Sequence, residues 1–89
     1  MTQQPIKVII NGDIKIAMSI MQKGLESGLT PDDWTIEGNY ATEYLELTAI
    51  SDAGAKYIKR AITRLRKNKK FDAVREDNRE IEFREYWKD

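Results

Sequence analysis

Between Ala53 and Phe71 the chain carries eight lysines and arginines and no acid, yet Ala55, Ile58, Ala61, Ile62 and Leu65 recur through it at three- and four-residue spacing. A helix gathers those five on one side, with Tyr57 at the margin, and turns Lys56, Lys59, Arg60, Arg64 and Lys67 away from it. Ser51-Asp52 supplies an N-cap and Asn68 a C-cap. Such a helix has one apolar face to bury and one charged face to solvate, so the rest of the chain must supply the surface it lies on.

That surface reads as a sheet. Leu, Ile, Val and Phe total twenty residues, eleven of them Ile, a β-branched supply that favours strands. Residues 6–10, Ile-Lys-Val-Ile-Ile, predict a central strand. Asn11-Gly12-Asp13 opens either a hairpin or a helix. The helix is preferred, because Ile14, Ala17, Met18, Met21 and Leu25 continue its spacing beyond the reach of a hairpin arm, with Asp13 as N-cap and Gly28 as the stop. Thr30-Pro31-Asp32-Asp33 predicts at most one tight turn, with the two acids as first-turn residues. Strands near 34–37 and 43–49 then pair as an antiparallel hairpin. The pattern is weakest over 69–89, where Ile81, Phe83 and Trp87 against Glu82, Arg84 and Tyr86 predict a strand near 80–87.

The order β-α-β-β-α-(β) in 89 residues predicts a small single α+β domain over 1–89, best matched by a ferredoxin-like two-layer sandwich with a four-stranded antiparallel sheet. Its expected core is Ile6, Val8, Ile10, Ile14, Ala17, Met18, Met21, Leu25, Ile36, Leu45, Leu47, Ile58, Ile62, Leu65, Ile81 and Phe83, with Trp34 at or near it. The open sheet face is expected to show Lys7, Ile9, Glu37, Tyr44, Glu46, Glu80, Glu82, Arg84 and Tyr86.

Composition narrows the chemistry. With no cysteine there is no thiol nucleophile, disulfide or zinc ribbon, and with no histidine no imidazole base or ligand. No catalytic residue, cofactor or metal site is assigned. Asp72, Glu76 and Glu80 share a helical spacing that a divalent ion could use, but Arg75, Arg79 and Arg84 are interleaved and make a solvated charge ladder the better reading. No apolar run approaches the ~20 residues needed to span a bilayer. No secretory signal is apparent, and a cytoplasmic location without membrane association is expected.

The formal charge of zero is a cancellation: −5 over residues 1–52, +8 over 53–71 and −3 over 72–89. The basic block, with Lys56, Lys59, Arg60, Arg64 and Lys67 outward, is the expected partner-binding surface unless the acidic ends fold back on it. Tyr44 and Tyr86 mark the sheet face as a second surface, suited to a protein partner or a second copy in a homodimer. Four carboxylates around the tyrosines disfavour RNA stacking there. The expected function is a non-enzymatic protein-interaction module, an adaptor or inhibitor of the size found among bacterial and phage accessory proteins. The alternative is a nucleic-acid-binding accessory protein whose basic helix contacts phosphates.

Overall fold

The computed structural model describes residues 6–39, 41–77 and 79–85, with the side chain of Ile14 excepted. The first strand, β1 (Lys7–Asn11), leads into α1 (Ile14–Glu26), and a turn at 31–33 into the hairpin β2 (Trp34–Asn39) and β3 (Tyr44–Ala49). Helix α2 (Asp52–Lys67) follows, and then a second hairpin of β4 (Phe71–Glu76) and β5 (Glu80–Glu85). The five strands form one mixed sheet in the order β2-β3-β1-β5-β4. The fold is α+β, with the helices on one face of the sheet.

Each element has a local cause. Asp33 accepts hydrogen bonds from the Thr30 backbone N–H and hydroxyl (2.9 and 3.2 Å), which closes the turn before β2. The same carboxylate accepts from the Ser51 hydroxyl at 2.7 Å, and Ser51 Oγ in turn accepts from the Gly54 N–H at 3.2 Å as the N-cap of α2. The start of α1 differs from its expected form. Asp13 occupies the cap position with a left-handed backbone (φ 35°) and makes no side-chain cap bond. Its N–H instead donates to Glu85 Oε2 (3.1 Å), and its carboxylate lies 3.7 Å from Lys70 Nζ.

The sheet departs from the four-stranded antiparallel ferredoxin-like arrangement. There, the strand after α2 lies antiparallel beside the first strand. Here α2 delivers the chain to the outer edge as β4, and a turn returns it as β5, which pairs parallel with β1 from Lys7↔Glu80 to Asn11↔Arg84. Asp77 makes that return by accepting from the Arg79 and Glu80 N–H groups, both at 3.0 Å. β4 is an additional strand, where a charge ladder was expected. Its alternation breaks between Ala73 and Arg75, where a bulge shifts the register against β5.

One cluster forms the core: Val8, Ile10, Ala17, Ile20, Trp34, Leu45, Leu47, Ala49, Ala55, Ile58, Ala61, Leu65, Phe71, Ile81 and Phe83. Ile6, Met21, Ile36 and Ile62 pack against it half-buried. The expected set errs chiefly on α1, where Leu25 is 51% exposed and Ile20 takes an inward place. The indole of Trp34 lies against the bare Cα of Gly24, so α1 turns Ala17, Ile20 and Gly24 toward the sheet and leaves Leu25 in water.

Candidate functional site

Helix α2 buries Gly54, Ala55, Ile58, Ala61 and Leu65 against the sheet. The opposite face carries Lys56, Lys59, Arg60, Thr63, Arg64 and Lys67, all exposed. Among the described residues, no carboxylate lies within ion-pairing distance of Lys56, Lys59, Arg60, Arg64 or Lys67. The acidic segment after α2 therefore does not mask the helix over the residues described. It is incorporated in the sheet, and its ion pair to α2 is Glu76 with Arg66. Lys56, Arg60 and Arg64 form one row on the helix and Lys59, Thr63 and Lys67 a second, each rising about 6 Å per four-residue step.

A hollow of 360 Å³ between the C-terminal part of α1 and α2 is lined by Lys23, Glu26, Ser27, Tyr57, Arg60, Ala61 and Arg64. Tyr57 forms one wall. Its ring meets Trp34 edge to face with centroids 5.6 Å apart, and its hydroxyl donates to the Ile20 carbonyl, tying α2 to α1. Burial raises the Tyr57 pKa, while the nearby charge of Arg64 and a backbone hydrogen bond at Gly24 work in the other direction. Arg64 also lines a neighbouring hollow of 170 Å³ with Ile16, Ser19, Ile20, Leu65 and Asn68, so it sits on the seam between the helices. Lys23 was not among the expected site residues. Its position in the last turn of α1 is legible, but its approach to Arg60 and Arg64 depends on how the two helices dock.

Among the described residues, the sheet face turned away from the helices carries the expected Lys7, Ile9, Glu37, Tyr44, Glu46, Glu80, Glu82 and Arg84. The register aligns Lys7 with Thr48 and Glu80, Ile9 with Glu46 and Glu82, and Asn11 with Tyr44 and Arg84. Glu37 lies beside Glu46, Asp72 beside Arg84 and Arg75 beside Glu82. This face is a network more than a platform. Lys7 Nζ lies 2.7 Å from Glu46 and 3.9 Å from Glu80, Arg75 pairs with Glu80 and Glu82, and Asn11 donates to Glu82 at 3.0 Å. These side chains cover Ile9, which is 8% exposed.

Tyr44 donates its hydroxyl to Glu46. That bond, with burial and the charges of Glu46, Glu37 and Glu82, pushes its pKa up to about 12. Glu46 is held below the usual carboxylate range by its bonds to Lys7 and Tyr44, and Lys7 is raised by the same Glu46 partnership. The tyrosine is thus committed to the network. Tyr86, its expected companion, and Trp87 lie outside the described residues.

Asp72, Glu76 and Glu80 sit on two antiparallel strands rather than one helix, and among the described residues no group of His, Cys, Asp or Glu is placed to hold a metal ion. No described helix is long and apolar enough to cross a membrane. No family model, curated protein or solved structure matches the chain.

Proposed function

We propose that the protein is a small non-enzymatic interaction module, of adaptor or inhibitor type, that presents the outer face of α2 to an acidic partner. The observation that carries this is the row of exposed cations at Lys56, Lys59, Arg60, Arg64 and Lys67, unpaired among the described residues and extended across the α1–α2 seam by Lys23. Aligned charges of one sign on a rigid element create a field that steers an oppositely charged surface and fixes its orientation. The sheet face is the weaker candidate, since three of its five carboxylates, Glu46, Glu80 and Glu82, already have partners within the chain. A cytoplasmic setting belongs to the same reading and suits a chain with no cysteine.

A nucleic-acid backbone is the second reading, favoured by the two parallel rows along α2 that repeat about every 6 Å. Retention on an immobilised polyanion, followed by titration with acidic protein domains and with duplex and single-stranded nucleic acid, separates the two. An acidic protein partner gives saturable binding of fixed stoichiometry. A phosphate backbone gives log affinity falling linearly with log salt, irrespective of sequence. The variant Lys59→Glu/Arg60→Glu/Arg64→Glu/Lys67→Glu loses either interaction. Wild-type protein that is not retained even at low salt would falsify the use of α2 as an anionic-partner surface.

A further inference from the structure

The fold sorts charge by layer. Outside the core contacts, α2 carries Asp52 against Lys56, Lys59, Arg60, Arg64, Arg66 and Lys67, a formal +5, and α1 adds Lys15 and Lys23 against Glu26. The uncovered sheet face carries Glu37, Glu46, Asp72, Glu80 and Glu82 against Lys7, Arg75 and Arg84, a formal −2. Its two most peripheral acids, Glu37 on β2 and Asp72 on β4, are exposed, and among the described residues neither has an ion-pair partner. The whole chain sums to zero. Two copies therefore meet without net repulsion, while the basic layer of one faces the acidic layer of the other when they stack in the same orientation.

We infer that the protein associates with itself head to tail, the outer face of α2 on one copy docking on the uncovered sheet face of the next. This rests on the reading of α2 as a surface for acidic partners and names one: a second copy of this chain. The two surfaces lie on opposite sides of the domain, so the contact is heterologous and each copy keeps one surface free. Growth then runs past the dimer, where the sequence reading offered a homodimer as one possibility. Glu37 and Asp72, at the two edge strands, are the acids free to engage α2 lysines without dismantling the Lys7–Glu46–Glu80 network.

Sedimentation of the full chain over a concentration series tests this between about 0.01 M and about 1 M salt, where the screening length falls from about 30 Å to about 3 Å. The expected result is a weight-average mass that climbs past two chains at low salt and returns to one at high salt, with the association midpoint displaced at least about tenfold in concentration. Zero-length carbodiimide cross-linking of the low-salt species should join Glu37 or Asp72 of one copy to Lys56, Lys59 or Lys67 of another. Lys56→Glu/Lys59→Glu/Arg60→Glu and Glu37→Lys/Asp72→Lys each change exposed side chains, and each is expected to stay monomeric alone. Circular dichroism checks that both fold, and their equimolar mixture should regain assembly.

A protein that stays monomeric at low salt, stops at two copies, or cross-links through other residues overturns the inference. If that same monomer is retained on the polyanion through α2, the interaction-module reading stands and self-association alone falls. If it is not retained, both fall. Assembly that appears only with added nucleic acid also overturns the inference and assigns α2 to phosphates.

Discussion

Trp34 packs its indole directly on Gly24, in the space a side chain on that residue would fill. Intrinsic helix propensity alone would have Gly24→Ala stabilise α1 by about 1 kcal/mol. The packing reverses the sign, because an added methyl meets the six-membered ring of a tryptophan only 3% exposed. Gly24→Ala is expected to destabilise the protein by about 1–3 kcal/mol in urea unfolding. Trp34→Phe costs stability by itself, but combined with Gly24→Ala it should cost less than the sum, since the smaller ring leaves room for the methyl.

The Asp33–Ser51 bond makes folding sensitive to acid. Bonds from Ser51 and Thr30 hold the Asp33 carboxyl below its ordinary 3.8, and Asp77 is lowered likewise by the Arg79 and Glu80 N–H groups. A carboxylate with a depressed folded pKa contributes stability that is fully present above the unfolded value and lost as pH falls through the folded one. Stability should therefore be flat near neutrality and decline below about pH 4. Asp33→Asn should be less stable than wild type at pH 7 and show a shallower acid decline. Equal acid slopes for the two proteins would contradict this assignment.

At the alkaline end the sign is opposite. The Tyr44 pKa is raised from 10.0 to about 12 and that of Lys7 is raised from 10.5. Both contributions are complete below the unfolded values and vanish as pH climbs through the folded ones. The difference between phenolate absorbance titrations of wild type and Tyr44→Phe should correspond to one tyrosine ionising near pH 12. If the two curves differ by a tyrosine ionising near pH 10, the hydroxyl is not held by Glu46.

The outward cations of α2 are expected to matter little for folding. Exposed charges without partners contribute little, so Lys59→Glu/Arg60→Glu/Arg64→Glu/Lys67→Glu should keep its helical circular dichroism. Its urea midpoint should shift by no more than about 1 kcal/mol equivalent. Tyr57→Phe removes only the bond to the Ile20 carbonyl and should cost about 0.5–1.5 kcal/mol. A large loss from the quadruple variant and none from Tyr57→Phe would show that the cations hold the helices together and that Tyr57 does not.

The legible parts were those where one local pattern had one structural solution. The stripe through Ala55, Ile58, Ala61 and Leu65 is buried along α2, and the alternation of Leu45, Leu47 and Ala49 gives β3 its inward face. Where a position answers to two masters the sequence misled. Asp13 reads as a capping side chain, but its carboxylate faces Lys70 from across the fold. Leu25 fits the helical period of α1, but Trp34 sets the rotation of that helix. β4 escaped notice because Val74, at its bulge, interrupts the alternation, leaving a strand that reads as a solvated charge ladder. The basic face of α2 was legible as a periodicity. That the described acidic residues after it leave this face open was not, because it depends on the added strand drawing those residues into the sheet.

The parallel pairing of β1 with β5 also fixes when the domain can come into being. β1 is the middle strand, and its partner on one side begins at Glu80, more than seventy residues later. A chain emerging from the ribosome can form α1, the β2–β3 hairpin and α2 in turn, but Val8 and Ile10 keep one flank open until Ile81 and Phe83 arrive. Late, long-range closure slows folding. Until then α2 has no completed sheet on which to bury Ile58 and Leu65, so the helix and the closure of the sheet are expected to become stable together.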